Sequence, residues 1–174
     1  MRLLIVLLAS LAFAQNPCQG PADLELQLKT KPAASVHNAL GGFFISRQRS
    51  DCAMASYREA IRLDPRSFPA RISLGNLLIE TNQFADAQTQ FRNVLNAQPK
   101  NALALRGISR ALILDSNFSA ASVYLEEALL LEPRELGHYL ALGYAYVEAR
   151  NFVKAVAILE RARKLQPTAE PVHF

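Results

Sequence analysis

The sequence predicts an all-α chain, and three observations carry that prediction. Its 174 residues are 51% apolar and 20% charged, enough for one modest domain with a core and unlike collagen-like or disordered chains. Nine Pro against seven Gly, among abundant Ala, Leu, Arg and Glu, favour helices over a glycine-turned β-sandwich. Two residue types also recur at a constant step of 34: Pro65, Pro99, Pro133 and Pro167, and Ala53, Ala87, Ala121 and Ala155. Two such series in phase mark an internal repeat.

The first element is not read as part of the fold. Met1-Arg2 is a short positive start, Leu3 to Phe13 is apolar, and Ala12-Phe13-Ala14 offers small residues where a signal peptidase cuts. Residues 1–14 therefore read as a secretory signal cleaved after Ala14, which places the mature protein in a periplasm or outside the cell. The alternative is a retained N-terminal membrane anchor, although the apolar run is shorter than the roughly 20 residues that span a bilayer. Gln15-Asn16-Pro17 before Cys18 lacks the small and aliphatic residues that precede a lipidated cysteine. A bacterial periplasm suits this signal best; in a eukaryotic host Asn117-Phe118-Ser119 would be a glycan acceptor.

Residues 15–33 form a leader. Within it, Asp23 and Glu25 come early and Lys29 late, as suits the dipole of a short capping helix. The alternation of polar and apolar residues there also allows a strand-like or irregular cap.

The repeats follow. Aromatic or aliphatic residues keep the same step at Tyr57, Phe91, Leu125 and Leu159, and small ones at Ala60, Val94, Ala128 and Ala162. Leu40-Gly41, Leu74-Gly75 and Leu142-Gly143 set a small residue after a large one, where two helices approach closely. The third unit departs, with Ile108-Ser109 and its glycine one residue early at Gly107. Each Pro ends a helix, because it cannot donate to the helical ladder. Asn82-Gln83-Phe84, Ser116-Asn117-Phe118 and Arg150-Asn151-Phe152 mark a turn inside each unit, with an aromatic placed to plug the crevice between the unit's two helices. The first unit has Gln48-Arg49-Ser50 there and lacks the aromatic.

This pattern resembles the tetratricopeptide repeat, a 34-residue helical pair with a large residue and Gly on its first helix, then Ala, an aromatic, Ala and a closing Pro. The resemblance covers units 34–67, 68–101, 102–135 and 136–169, with 170–174 a short tail. It implies a right-handed α-solenoid of four stacked helix-turn-helix units that behaves as one domain. Helices are expected near 34–47, 50–63, 68–81, 84–97, 102–115, 118–131, 136–149 and 152–165.

The resemblance also implies a function. First helices of successive repeats line a concave groove that holds a peptide or a partner's helix, without catalysis. The outward positions are Asn38 and Ile45, then Ile72, Asn76 and Ile79, then Arg106, Arg110 and Ile113, and finally Leu140, Tyr144 and Val147. Arg106 and Arg110 lie four apart on one helix face, in position to meet a carboxylate in forked geometry, so an acidic or C-terminal peptide is the expected partner. The family's chaperone-binding members begin a carboxylate clamp with Lys and Asn on the first helix. Asn38 and Gly42 stand at those places, so that clamp is not expected. The last helix, with Phe152, Val153, Val156 and Leu159, would have no following repeat to cover it, which invites a homo-oligomer or docking on a larger complex.

Other chemistries find no support. The net charge of +4, from 19 basic and 15 acidic residues, is spread without a basic run, so no nucleic-acid partner is expected. His37, His138 and His173 stand apart from one another, and neither HExxH nor paired CxxC occurs, so no metal is expected. No nucleophile elbow, phosphate loop or dinucleotide fingerprint is present, which leaves no cofactor, no small-molecule substrate and no enzyme in the reading. Glu126, Glu127 and Glu132 read as solvated helix faces. Cys18 and Cys52 are the only cysteines. An exported chain would favour a disulfide between them. If Cys18 sat in a true preceding repeat, however, the two would lie roughly 10 Å apart on stacked helices, beyond bonding reach. The bridge and two free thiols both stay open, with metal binding behind them.

Overall fold

Helix boundaries follow directly from the 34-residue punctuation. The computed structural model describes residues 18–165; the expected signal at 1–14, the tail, Pro167 and His173 lie outside them. Among the described residues there are nine α-helices and no strand: α1 (Ala22–Thr30), α2 (Ala34–Ser46), α3 (Ser50–Leu63), α4 (Phe68–Glu80), α5 (Phe84–Ala97), α6 (Ala102–Leu114), α7 (Phe118–Leu131), α8 (Leu136–Glu148) and α9 (Phe152–Leu165). Each packs on the next, so the chain is an all-α solenoid of helical pairs. None of these helices is long and apolar enough to cross a membrane.

The first helix of each pair stops one residue before the sequence expectation, and the backbone gives the reason. Gln48, Asn82, Ser116 and Arg150, themselves 34 apart, adopt φ of 57° to 59°. A left-handed residue there turns the chain back. The next N–H, of Arg49, Gln83, Asn117 or Asn151, then donates to the carbonyl of Phe44, Leu78, Leu112 or Tyr146 at 2.8 Å. This six-to-one bond satisfies a carbonyl left open at the helix end. At the starts, the side chains of Asn101 and Asn117 accept from the N–H of Ala104 (3.0 Å) and Ala120 (3.4 Å) and cap α6 and α7.

The core fills two joined regions. The larger runs from Leu40 and Phe44 through Phe91 to Leu112 and Ala121, and the smaller gathers Leu125, Tyr139, Leu142 and Ile158; Ile113 touches both. The repeated small residue is required by contact with the second-helix aromatic or leucine. A β-carbon on Gly41 would come within 2.3 Å of Tyr57, on Gly75 within 2.6 Å of Phe91, and on Gly143 within 2.5 Å of Leu159. The irregular third unit has a clear cause. Gly107 faces Phe91 of the preceding unit, where a β-carbon would lie at 2.3 Å, so Phe91 is clasped by glycines from two repeats. Ser109 takes the usual glycine place, fully buried, with its hydroxyl donating to the carbonyl of Leu105 at 2.6 Å.

The aromatics after the turns differ from one another. Phe84 is half-buried against the main core, and Phe118 packs edge-on against Tyr144 of the following unit, with ring centroids 5.8 Å apart, so it also joins repeats. Phe152, with no described helix beyond it, is 60% exposed.

The leader forms α1 against α2, with none of its residues buried. Cys18 precedes α1 and is bonded to Cys52 on α3, their Cα atoms 5.2 Å apart. The distance is short because Cys18 sits on an irregular approach and not on a stacked helix. Gly20 permits that approach: a β-carbon there would meet Leu40 at 2.2 Å, and its N–H donates to the Glu25 carboxylate at 2.8 Å.

Candidate functional site

The first helices α2, α4, α6 and α8 carry the positions expected to face a groove. Positions 72, 106 and 140 are 34 apart, as are 76, 110 and 144, so each series steps from helix to helix along one surface. Asn76, Arg106, Arg110, Leu140 and Tyr144 are exposed there, and Ile72 is half-buried. Two hollows open on this surface, and Arg106 and Arg110 border both.

The first hollow, about 340 Å³, lies between α4 and α6. Ile72, Asn76, Glu80 and Leu103 line it beside the two arginines, giving an amide, a carboxylate and two guanidinium groups over a small apolar floor. The second, about 270 Å³, lies between α6 and α8 and is more apolar, with Ile113, Leu114, Leu125 and Ala141 around Ser109 and His138. The arginines therefore stand on a crest between a polar trough and an apolar one. Neither guanidinium group makes an ion pair or hydrogen bond to a described residue; the Arg106 carbonyl accepts from the Ser109 hydroxyl at 3.2 Å. Exposed guanidinium groups on one helix face offer planar, forked donors to a carboxylate.

The remaining expected groove residues divide. Leu140 and Tyr144, about half exposed, continue the surface on α8 beyond the apolar trough, and Val147 extends it. Asn38 lies outside both hollows, on α2, and its side-chain oxygen is secluded without a hydrogen-bond partner among the described residues. Ile79 corrects the sequence reading. It is 3% exposed and belongs to the main core, whereas the equivalent Ile45 and Val147 are exposed. α4 is also the first helix that packs directly against the first helix of the next unit, α6.

Sequence reasoning missed Glu80, Leu114, Ser109 and His138. Stepping the row 72, 76 one further turn gives 80, and adding 34 gives 114, so these two were within reach of the repeat arithmetic. Ser109 and His138 reach the trough through helix-to-helix geometry that no spacing reveals. His138 is buried, and its Nε2 lies 2.7 Å from the Glu132 carboxylate, which orients the ring. Glu132 is thus a partner of His138 and not only a solvated face.

A second polar cluster lies away from the groove. Tyr146 donates a short hydrogen bond to Glu126, and Lys154 stands 3.5 Å from the same carboxylate and 5.1 Å from the Tyr146 ring centre. Burial, then the hydrogen bond and charge of Glu126, push the Tyr146 phenol well above its ordinary range. Among the described residues no three His, Cys, Asp or Glu side chains converge as a metal site.

Comparisons with known proteins agree with this architecture. No curated protein matches the chain in sequence. Solved structures share its fold. MamA from Desulfovibrio magneticus RS-1 superposes with a TM-score of 0.77 at 19% identity, over 84% of each chain. A "MamA RS-1" double mutant gives 0.78 at 19% identity, over 85% of this chain and 84% of that one. TTC0263, a thermophilic TPR protein in Thermus thermophilus, gives 0.62 at 19% identity, over 77% of this chain and 75% of that one. Tetratricopeptide repeat models match residues 45–111 and 115–170, together well over half of the sequence. The chain belongs to the tetratricopeptide repeat family.

Proposed function

We propose that this protein is an exported protein-binding module whose concave groove takes an acidic segment of a partner protein, and that it performs no catalysis itself. The observation that carries the reading is the arginine crest: Arg106 and Arg110 are exposed on one helix face, bordering both hollows, without an ion pair to any described residue. Glu80 and Glu135 line the two hollows but neither is within ion-pair distance of the arginines, so both guanidinium groups are complementary to a carboxylate brought by a partner. Export rests on the N-terminal sequence, with its positive start, short apolar run and Ala-Phe-Ala site.

The test is affinity capture from the native envelope or secretome with the parent and an Arg106→Glu/Arg110→Glu variant. The expected result is a partner held by the parent and lost by the variant, because two repulsive charges replace two attractive ones. Equal capture by both would reject the groove assignment.

A second reading has its own support. Leu125 on α7 is 2% exposed under α8, but the equivalent Leu159 on α9 is 39% exposed, and Val156 beside it 59%. An apolar face that the preceding repeat buries is open on the last described one, which favours self-association or docking of α9 on a larger complex.

A further inference from the structure

The arginine crest is flanked on one side by an apolar trough, and that asymmetry says more about the ligand than its charge. We infer that the groove reads two side chains of an extended segment together: a carboxylate on Arg106 and Arg110, and an aliphatic side chain two residues away in the trough between α6 and α8. The inference rests on the groove reading above and deepens it.

The geometry sets the spacing. Packed helices lie roughly 8–10 Å apart, so the trough is about 4–5 Å to the side of the α6 crest. In an extended segment, residues i and i+2 point to the same side and lie about 6.6 Å apart. The two distances agree if the segment also shifts by about one helical turn along α6. One turn beyond Arg110 stand Ile113 and Leu114, which line the trough with Ala141 from α8. A further two residues would bring the segment over Leu140 and Tyr144.

The chemistry of the two troughs gives the direction. Each side carries one carboxylate, Glu80 toward α4 and Glu135 toward α8, so the difference lies in the rest of the lining: Asn76 adds to the polarity of the α4 side, which disfavours a bare aliphatic group there. On the α8 side Ile113, Leu114, Leu125 and Ala141 give the trough, at about 270 Å³, the room and the apolar lining for a branched aliphatic side chain. The partner is therefore a protein segment with the pattern acid, any residue, aliphatic, read from α6 toward α8.

The test pans a random-peptide display library on the full-length protein and on three variants. The parent is expected to enrich Asp or Glu two positions from Leu, Ile or Val. Ala141→Phe, which fills the trough, should weaken a selected peptide about tenfold or more while the peptide's aliphatic-to-Gly analogue is unaffected, as expected for one buried aliphatic side chain. Leu114→Gln, an uncharged change at an exposed rim position, should do the same and guards against misfolding of the filled variant. Selected peptides that carry an acid with no aliphatic residue at that offset would overturn the inference and leave the acidic groove standing. Binding indifferent to Arg106→Glu/Arg110→Glu would overturn both, and the absence of any enriched sequence would overturn the two-side-chain code.

Discussion

Ser116, Gln48 and Arg150 each hold a left-handed turn that a β-carbon makes costly, by roughly 1 kcal/mol or more. Asn82, at the same place in the second unit, tolerates it better. Ser116→Gly is therefore expected to raise unfolding free energy by about 0.5–1 kcal/mol, and Asn82→Gly by less, both measured by denaturant titration. The opposite change tests the clasp on Phe91. Gly107→Ala puts a β-carbon 2.3 Å from a ring that is fully buried and has no room to yield, so a loss of about 2 kcal/mol is expected. An unchanged midpoint would mean that α5 and α6 separate without cost at that contact.

At the scale of elements, the punctuation was legible and the contacts between repeats were not. Pro spacing, the Leu-Gly steps and the turn residues gave helix positions to within a residue, because each is a local backbone requirement. Phe118 read as a plug for its own pair, and it also meets Tyr144 of the next; Ile79 read as groove-facing, but it is buried in the main core. Both depend on how one repeat leans on another, which periodicity averages away. The arginine crest was visible as an i, i+4 pair, whereas the trough beside it needed α8 in place.

The Cys18–Cys52 bond closes a 34-residue separation and ties the approach to α1, itself without a buried residue, onto α3. Cys18→Ser/Cys52→Ser is expected to cost about 2–4 kcal/mol, with faster amide exchange concentrated in α1 and α2. Tyr146 supplies a pH dependence. Its phenol is raised in the fold, so the contribution of its neutral, hydrogen-bonded form is fully present below the unfolded value near 10 and is lost as pH rises beyond it. Stability should fall more steeply above about pH 10 in the parent than in Tyr146→Phe, as read from thermal midpoints across that range.

Over the described residues the solenoid has two unequal ends: α1 and its disulfide tether cover the first repeat, while α9 presents Phe152, Val153 and Val156 as exposed side chains. Neighbouring repeats stabilise one another, so damage at either end should lower the stability of the whole stack. If α9 joins copies, sedimentation will show association that grows with concentration and is removed by Val156→Lys. Constant mass across the range would assign that face no part in self-assembly.

The central claim is that the surface of α4, α6 and α8 is the working one. Its most direct test is amide and side-chain chemical-shift mapping of the protein with a binding segment of the captured partner. Perturbations are expected to centre on Asn76, Arg106, Arg110, Leu140 and Tyr144. Perturbations confined to Phe152, Val156 and the rest of α9, with the arginine crest unmoved, would contradict it.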